Sequence, residues 1–413
     1  MRAASPTALF PTLDDADISG KRVLVRVDLN VPMADGKITD ATRIDRILPN
    51  IREIAEKAGK VILLSHLGRP KGRDLKYSLR PVAVELEREL GKKVAFSEDC
   101  IGQIAETAVA ALQPGDVLLL ENTRFHPGEE KNDPVFVADL ASLGDIYVND
   151  AFSTAHRAHA STEGLAHRLP AFAGRTMQTE LEMLTNKLAH PTRPLAAIVG
   201  GAKVSTKLEL LGNLMRRVDY LFIGGGMANT FLAAGGRPIG KSLCEMELAD
   251  VARKIMADAE AAHCEIVLPV DAIVAKRLAP HVEVRAVGID DVGADDMILD
   301  IGPRSIAKVV GLLASARTLV WNGPFGAFEV PPFDTATMAI AKVAALLTQT
   351  GALESIAGGG DTIAALNQAG VYDDFTYVST AGGAFLEWLE GKELPGVEAL
   401  RASRAFALAR AAG

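Results

Sequence analysis

The fold of this chain is indicated first by residues 22–30, which read Arg22-Val-Leu-Val-Arg-Val-Asp28-Leu29-Asn30. A run of strand-forming residues ends here in an acid and an amide, as a buried strand does where it leaves a sheet. Similar runs recur along the chain, with amphipathic stretches between several of them. The strand candidates are Arg22–Val27, Val61–Ser65, Val117–Leu120, Asp145–Val148, Ala196–Val199, Tyr220–Ile223, Ile266–Leu268, Leu319–Trp321 and Tyr377–Ser379, and the helix candidates include Thr42–Ala58, Pro81–Leu90, Phe172–Leu188 and Met246–Ala262. This order predicts βαβ units, hence an α/β fold with mostly parallel sheets flanked by helices.

The composition excludes several classes of protein. The 413 residues carry 44 Lys+Arg and 52 Asp+Glu, a formal net charge of −8, with 48% hydrophobic and 23% charged residues. These proportions are typical of a globular protein rather than a disordered chain. The acidic balance argues against a nucleic-acid or membrane-surface partner. The apolar runs also fall short of the roughly 18 residues that a membrane span needs.

The cysteines indicate the compartment. Cys100, Cys244 and Cys264 are scattered and form no C-x-x-C pair. This usage fits ordinary thiols in a reducing compartment better than a disulfide framework or a zinc site. The first residues also lack the apolar core of a secretory signal. We therefore predict a cytoplasmic protein.

Two halves are distinguished by the residues that follow their strands. The first half has charged or imidazole side chains there, such as Asp28, His66 and Arg124, whereas the second half has glycine pairs and triplets. Ligands of open α/β sheets bind outside the carboxyl ends of the strands. We expect a small anion on the first half and a ligand approached by backbone on the second. The helix candidate Phe172–Leu188 is the predicted connection and a plausible hinge element.

Four arginines of the first half form the clearest candidate site. Guanidinium groups bind carboxylate and phosphate in bidentate fashion, and Asp28 and Asn30 are placed to orient a hydroxyl. The alternative is that these arginines are solvated surface residues in unrelated ion pairs. Their recurrence at strand exits favours the site. The set is Arg43, Arg69, Arg124 and Arg157, with His66.

Three glycine turns of the second half are candidates for a phosphate site. Residues 200–207 follow an apolar strand, and we expect Lys203 and Lys207 to share one face of the first helical turns. Residues 358–362 end in Asp361-Thr362, where the carboxylate either caps a helix or holds Mg²⁺ beside nucleotide phosphates. Residues 379–384 offer main-chain donors. Residues 200–207 alone are equally consistent with a tight turn that carries two exposed lysines.

Two further patterns do not fit their mechanisms. Residues 235–242 match the P-loop expression, but a predicted helix rather than a strand precedes them, and Pro238 breaks the run. His156 and His159 have no evident third ligand, so we interpret them as part of a polar loop. No G-x-G-x-x-G is present, which weakens a dinucleotide-dependent dehydrogenase as an alternative.

Taken together, eight blocks of the sequence resemble the phosphoglycerate kinase family. They occur in the family's order from about residue 12 to about residue 400, and that order makes the resemblance specific. The blocks are Val25–Pro32, Leu64–Pro70, Glu121–Phe125, Asn149–Phe152, Thr154–His159, Gly200–Val204, Trp321–Pro324 and Gly358–Thr362.

The resemblance implies two Rossmann-like domains facing across a hinged cleft. It implies an N-terminal phosphoglycerate-binding domain over 1–172, a connecting helix over 173–190 and a nucleotide-binding domain over 191–397. In the family the C-terminal segment, here about 398–413, packs back on the first domain. The reaction implied is reversible transfer between 1,3-bisphosphoglycerate and ADP, giving 3-phosphoglycerate and ATP, with Mg²⁺. A monomer with small-molecule partners is expected.

The resemblance also implies roles for residues at matched positions. The phosphoglycerate-binding residues are Asp28, Leu29, Asn30, Arg43, His66, Leu67, Gly68, Arg69, Arg124 and Arg157. The nucleotide-binding residues are Lys203, Lys207, Asn322, Glu329, Gly359, Gly360, Asp361 and Thr362, with Asp361 on the Mg²⁺. The residues expected to act on the transferred phosphoryl group are Arg43, Lys203, Gly382 and Gly383.

The chain departs from the family pattern at some positions. Ala381 and Ser153 stand where glycine is usual, and a methyl group at 381 restricts positive φ.

Phosphoryl transfer needs positioning, charge neutralisation and exclusion of water rather than a protein nucleophile, so we expect direct transfer without a phosphoenzyme. The alternatives are a dehydrogenase, a non-catalytic phosphate-binding module and a kinase for another acyl phosphate.

Overall fold

The chain folds into two compact units. The computed structural model describes residues 10–34, 36–189 and 191–411. The first unit comprises the described parts of Met1–Glu182 and Glu393–Gly413, and the second comprises those of Met183–Lys392. The predicted domain boundaries stay predictions. Within the predicted domains, residues 1–9, 190, 412 and 413 lie outside the described residues.

The first unit is built on a parallel six-stranded sheet with the order β5-β6-β4-β1-β7-β8. Its central strands are continuous runs of Val, Leu and Ile because helices cover both faces. A separate antiparallel pair, β2 and β3, follows the first strand. The strands are β1 (Arg22–Arg26), β2 (Met33–Ala34), β3 (Lys37–Ile38), β4 (Lys60–Leu64), β5 (Val94–Ser97), β6 (Val117–Leu120), β7 (Ile146–Asn149) and β8 (Ala171–Ala173).

The helices of this unit pack their apolar faces against the sheet. In the first of them, isoleucines and leucines recur at helical spacing, so Ile44, Ile47, Ile51 and Ile54 reach the core with the strand valines. The helix thereby presents Arg43, in its first turn, on the side of the strand exits. The helices are α1 (Thr42–Glu56), α2 (Arg80–Leu90), α3 (Gly102–Ala110), α4 (Pro134–Ser142) and α5 (Arg175–Ala189), the last of which continues into the second unit.

The second unit repeats the architecture with the strand order β11-β10-β9-β15-β16-β17, again parallel. A three-stranded antiparallel sheet, β13-β12-β14, is added beside it. The strands are β9 (Leu195–Val199), β10 (Tyr220–Ile223), β11 (Glu265–Val267), β12 (Asp271–Ala275), β13 (Arg285–Gly288), β14 (Met297–Ile301), β15 (Thr318–Asn322), β16 (Glu354–Gly358) and β17 (Tyr377–Ser379).

Helices also flank this second sheet. The helices are α6 (Leu208–Leu214), α7 (Gly225–Ala234), α8 (Ala249–Ala261), α9 (Pro303–Ser315), α10 (Thr335–Gln349), α11 (Gly360–Ala369) and α12 (Gly383–Leu389). A final helix, α13 (Pro395–Ala411), belongs to the first unit, where Gly396 N donates to Ala155 O at 2.9 Å. Ser403 Oγ hydrogen-bonds to both main-chain groups of Ala171. None of the described helices combines the length and apolarity that crossing a membrane requires.

The predicted α/β class with parallel sheets is confirmed, but some local predictions were wrong. The predicted helix Phe172–Leu188, and with it the connecting helix from 173, begins too early. Residues 171–173 pair with β7 as strand β8, and the helix starts only at Arg175. As expected from the sequence, residues 235–242 follow helix α7 and not a strand.

The amino-terminal end of α5 is held by a buried acid of the first unit. Asp150 Oδ1 accepts from the N–H groups of Thr176 at 2.7 Å and Met177 at 3.3 Å. Burial raises the pKa of Asp150 to about 7, although these hydrogen bonds favour the carboxylate. The same acid in the unfolded chain keeps an ordinary pKa near 3.8. The folded chain therefore binds more protons between these values, and this acid lowers stability as the pH rises from about 4 to about 7.

We expect Asp150→Asn to abolish this pH dependence, since an amide oxygen still accepts from Thr176 and carries no charge. Relative to wild type, the variant's free energy of unfolding should rise by roughly 2 kcal/mol between pH 5 and pH 7.5, measured by urea titration. Asp139→Asn, at an exposed position on α4, is the matched control and should act equally at both pH values. Parallel pH profiles for wild type and Asp150→Asn would show that Asp150 does not titrate as described.

Candidate active site

Asp28 and Arg43 form an ion pair at the exit of strand β1. The Arg43 Nη1 atom lies 2.5 Å from Asp28 Oδ2, which also accepts from Ser153 Oγ at 2.6 Å. The main-chain N–H of Asn30 donates to Asp28 Oδ1 at 3.1 Å. Burial alone would raise the pKa of Asp28, but Arg43 and these hydrogen bonds outweigh it and hold the pKa below its usual value. Ser153, a departure from the family pattern, thus supports the acid directly.

A second set of hydrogen bonds links this pair to Arg124. Asn30 Oδ1 accepts from Gly68 N at 2.8 Å, and Arg124 Nη1 donates to Gly68 O at 2.7 Å. Gly68 has a φ of +62°, and a Cβ there would lie 2.4 Å from a ring carbon of Tyr77. A side chain at this position would need both a left-handed backbone and a shift of the Tyr77 ring. The loops after β1, β4 and β6 are therefore joined, as their neighbouring positions in the sheet require.

His66 lies among several cations and is neutral. Its Nδ1 is 2.8 Å from Arg26 Nη2, and a guanidinium can only donate, so Nδ1 accepts. Burial, followed by the charges of Arg26, Arg124 and Arg157, lowers the pKa of His66 well below its ordinary value. Burial and the neighbouring Arg157 also lower the pKa of Arg124 to about 10. Such mutual repulsion marks a place where an anion is stabilised.

The histidines of residues 156–159 belong to the same region. Burial is the main cause that lowers the pKa of His156 and of His159 to about 4, and Arg157 adds to it in both cases. Arg157 Nε donates to His156 Nε2 at 3.1 Å. Nε2 of His156 is thus occupied by a guanidinium contact. Neutral imidazoles leave the positive charge of this region to the arginines.

Arg26 is a functional candidate that the sequence analysis missed. It is 1% exposed, and its Nε donates to Ser161 Oγ at 2.9 Å. Ser161 Oγ in turn donates to Glu129 Oε1 at 2.5 Å, and Glu129 is completely buried. The signal was present in the sequence, since a charged residue inside an apolar strand rarely stays buried without a partner.

The remaining predicted phosphoglycerate-binding residues divide into core and surface positions. The side chains of Leu29 and Leu67 lie in the hydrophobic core. Leu29 N donates to Ser65 Oγ at 3.0 Å, and Leu67 O accepts from Asn122 Nδ2 at 2.8 Å. Arg69 directly follows Gly68 and is exposed. The described hydrogen bonds connect Arg43 with Arg124, and the charge of Arg157 acts on Arg124. Arg69 lies near them because it directly follows Gly68 in the chain.

In the second unit, the turn after β9 packs against the end of β15. Lys207 Nζ donates to Gly200 O at 2.7 Å and to Asn322 Oδ1 at 2.5 Å. Burial lowers the pKa of Lys207 to about 8, and the charge of Asp361 opposes that shift. A Cβ on Gly200 would lie 1.9 Å from Pro324 O. The glycine is therefore required by a backbone contact within the unit.

The expectation that Lys203 and Lys207 share a helical face was wrong. Helix α6 begins at Leu208 with Lys207 as its N-cap residue, and Lys203 lies in the preceding turns, exposed. The turns are held by Glu245, which the sequence analysis missed. Glu245 accepts from Ser205 N at 2.9 Å and from Ser205 Oγ at 2.5 Å.

The turn after β16 leaves the Asp361 carboxylate available for a cation. The N-cap residue of α11 is Gly359, with φ of +99°, and no side chain caps this helix. Of the two alternatives left open by the sequence, capping by this carboxylate is therefore excluded, and Asp361 is exposed in the first turn. Thr362 Oγ1 accepts from Gly323 N at 2.7 Å, and Asn322 Nδ2 donates to Gly358 O at 2.8 Å. Gly360 starts α11.

The last glycine turn and Glu329 complete the predicted nucleotide residues. Gly382 has a φ of +51° and precedes α12, which starts at Gly383. Among the described residues, the non-glycine positions with positive φ are Ala58, Asn132, His263 and His281. Ala381 is not among them, so this departure from the family requires no strained backbone. Glu329 is exposed between β15 and α10.

Comparisons with known proteins identify the family. The family model for phosphoglycerate kinase matches residues 13–392. The chain belongs to the phosphoglycerate kinase family. Phosphoglycerate kinases are glycolytic kinases that use ATP and ADP and transfer phosphate to the carboxyl group of 3-phosphoglycerate. This assignment confirms the resemblance and decides against a dehydrogenase.

Relatives and solved structures of phosphoglycerate kinases agree over nearly the whole chain. The enzyme of Azorhizobium caulinodans is 68% identical over 392 residues, covering 95% of this chain and 99% of the relative. That of Xanthobacter autotrophicus is 65% identical with the same coverage. The Coxiella burnetii structure has a TM-score of 0.89 at 45% identity, covering 95% of this chain and 98% of that one. The Pyrococcus horikoshii structure has a TM-score of 0.81 at 32% identity, covering 96% and 99%.

Gly68→Ala should destabilise the protein more than backbone strain alone explains. Gly91 has φ of +64° with open space around its Cβ position, so Gly91→Ala measures strain without a clash. We expect about 1 kcal/mol for Gly91→Ala and at least twice that for Gly68→Ala, since Tyr77 must move. Thermal unfolding of both variants, with the KM for 3-phosphoglycerate, checks this. Equal losses of stability with an unchanged KM would contradict the role given to the contact.

Proposed function

We propose that this chain catalyses reversible, Mg²⁺-dependent phosphoryl transfer between ATP and the carboxylate of 3-phosphoglycerate, in glycolysis or the reverse direction. The observation that carries the proposal for this particular chain is the cluster of neutral histidines and crowded arginines in the first unit. Burial and mutual repulsion lower the pKa of Arg124 and of His66 together. A multiply charged anion relieves that repulsion.

We assign phosphoglycerate to the first unit. Arg124 and Arg157 supply charge, His66 donates from its Nε2–H, and Asp28 with Asn30 orients the substrate hydroxyl. Arg69 reaches the phosphate from its exposed position, and main-chain groups of Leu29, Leu67 and Gly68 line the pocket. Arg43 shares its charge between Asp28 and the substrate. The support is the set of hydrogen bonds joining Asp28 through Asn30 and Gly68 to Arg124.

We assign the nucleotide to the second unit. Lys203 and Lys207 contact phosphates, Asn322 and Glu329 contact the nucleoside, and main-chain groups of Gly359, Gly360 and Thr362 complete the turn. Asp361 holds the Mg²⁺, because an exposed carboxylate without a capping role is a hard oxygen ligand suited to that ion. The ion neutralises phosphate charge when it is bound. The predicted domain boundaries and hinged cleft belong to this proposal.

The transfer itself is direct. A carboxylate oxygen of 3-phosphoglycerate bonds to the γ-phosphorus of ATP as the bond from that phosphorus to the β-γ bridging oxygen breaks, and ADP leaves. Arg43, Lys203 and the main-chain N–H groups of Gly382 and Gly383 stabilise charge on the transferred group. No protein nucleophile is involved. A labelled phosphoenzyme trapped during turnover would contradict this mechanism.

We further infer a cytoplasmic monomer. The support for the compartment is compositional, since three free, scattered cysteines are typical of a reducing compartment. The monomer is what the resemblance to the family implies. Sedimentation equilibrium over a range of protein concentrations decides the oligomeric state, and a mass twice that of the chain would overturn the inference.

The reaction is tested by measuring ADP formation from ATP and 3-phosphoglycerate. We expect turnover that requires Mg²⁺ and that acetate cannot support as acceptor, since acetate offers the guanidinium cluster no phosphate. Turnover with acetate equal to that with 3-phosphoglycerate would favour another acyl-phosphate kinase. Binding of both substrates without ADP formation would favour a non-catalytic module.

Arg43→Ala should lower kcat far more than it weakens ATP binding. The guanidinium acts on charge that develops during transfer, so we expect a loss of about 10²-fold in kcat. Arg52→Ala on the same helix is the control, because Arg52 is exposed and donates to Glu89 O. Steady-state kinetics with both substrates checks this. An unchanged kcat with only a raised KM for phosphoglycerate would place Arg43 in ground-state binding.

A further inference from the structure

Asp99, Cys100 and His126 form a compact group of three different metal-ligating side chains outside the proposed active site. One ligand atom from each lies within 4.8 Å of the others. His126 Nε2 is 2.7 Å from Asp99 Oδ1, and Cys100 is completely buried. The reaction proposed above uses none of these three side chains.

The sheet brings these residues together from two loops. Asp99 and Cys100 follow strand β5, and His126 follows strand β6 after one short helical turn. The two strands are parallel neighbours, with Ser97 opposite Leu120 at their ends. The ligands therefore meet at the carboxyl edge of the sheet although 26 positions separate Cys100 from His126. This explains why the sequence analysis, which looked for a local C-x-x-C pair, expected no such site.

Each ligand is held in place by a second contact. The His126 ring stacks on Phe136, with centroids 5.3 Å apart and planes inclined by 27°. Cys100 N donates to Asp99 Oδ1 at 2.7 Å, and Ser97 Oγ donates to Asp99 O at the same distance. Metal sites are commonly oriented by such supporting contacts.

The local charges favour a cation. The carboxylates of Asp99, Glu129 and Glu121 act on Cys100 and make the potential at its thiol negative. This negative potential attracts a divalent ion. The opposing charge is Arg73, whose Nη1 lies 3.8 Å from Asp99 Oδ2 on an exposed side chain.

Solvent reaches the group from one side. The side chains of Asp99 and His126 are 25% and 27% exposed, whereas the thiol of Cys100 lies behind them. An ion can therefore enter at the carboxylate and imidazole and meet the sulfur last.

We propose that Asp99, Cys100 and His126 bind one thiophilic divalent cation of the Zn²⁺ class. Sulfur and imidazole ligands select such an ion over Mg²⁺, and three protein ligands leave one position of a tetrahedral shell to water. As the ion binds, the Sγ–H bond of Cys100 breaks, its proton passes to solvent, and the sulfur bonds the ion. The Nε2 proton that faces Asp99 Oδ1 moves through solvent to Nδ1 of the same ring, which leaves the Nε2 lone pair for the ion. This site is independent of the proposed reaction.

The test uses tag-free, metal-free, full-length protein without nucleotide, titrated with Zn²⁺ in excess Mg²⁺ by calorimetry. We expect one ion per chain, with affinity lowered at least tenfold in Cys100→Ser and in His126→Gln. The matched control is the double variant Cys244→Ser/Cys264→Ser, which leaves Cys100 as the sole thiol and should bind as wild type does. Undiminished binding in Cys100→Ser would overturn the proposal.

Two measurements on the double variant do not depend on the folding of Cys100→Ser. Co²⁺ should produce a sulfur-to-metal charge-transfer band, and Zn²⁺ should slow alkylation of Cys100 at least tenfold. A bound Co²⁺ without that band, or alkylation at an unchanged rate at saturating Zn²⁺, would show that Asp99 and His126 form only a hydrogen-bonded pair beside an inert thiol.

Discussion

The buried guanidinium of Arg26 makes the hydrogen bonds on which the predicted site of the first unit depends. It donates to Val27 O after β1, to His66 after β4 and to Ser161 in the segment after β7. Ser161 extends the contact to Glu129 in the loop after β6. Directly or through Ser161, one side chain thus connects the four loops that carry all the predicted phosphoglycerate residues except Arg43, which lies on α1. Removing one partner of such a buried charged network leaves an uncompensated charge and is strongly destabilising.

This arrangement also explains why the site is cationic although the protein is acidic. Arg26 is linked to Glu129 through Ser161. Arg124 is repelled by Arg157, and the more exposed Glu130, 3.3 Å from its Nε, offsets that repulsion only in part, because burial and the repulsion still lower the pKa of Arg124. The histidines beside them stay neutral because they are buried among cations. A net charge of −8 therefore says nothing about this edge of the sheet, where local geometry decides the potential.

In the second unit, main-chain groups rather than clustered charges make most of the contacts at the ends of the strands. Asn322, at the end of β15, donates to Gly358 O at the end of β16 and accepts from Lys207, whose Nζ also donates to Gly200 O after β9. The amide and the ammonium group together join the ends of three neighbouring strands. Glycines at these exits let main chains approach within distances that a Cβ would forbid. Both units belong to the phosphoglycerate kinase fold, and each places its polar groups where parallel strands end.

Patterns within a few residues were readable from the sequence, and long-range partners were not. Strands Val117–Leu120 and Tyr220–Ile223 were predicted with their observed bounds because continuous apolar runs define buried parallel strands. Strand β16 was missed because it starts with Glu354-Ser355 and ends in glycine. Arg26 and Glu245 were missed because their partners, Ser161 and Ser205, lie far away in sequence. The prediction that Lys203 lies in the first helical turns was wrong for the same reason, because the distant Glu245 accepts from Ser205 and holds these turns outside the helix.

If the loops fixed by Arg26 present a cationic surface to phosphoglycerate, the ligand must change the surroundings of the histidines among them. Histidine proton resonances can be followed by NMR during titration with 3-phosphoglycerate, with His263 and His281 of the second unit as internal references. We expect the resonances of His66 and His159 to shift along one saturating curve while the references stay fixed. Unmoved His66 and His159 resonances at saturating ligand would contradict it.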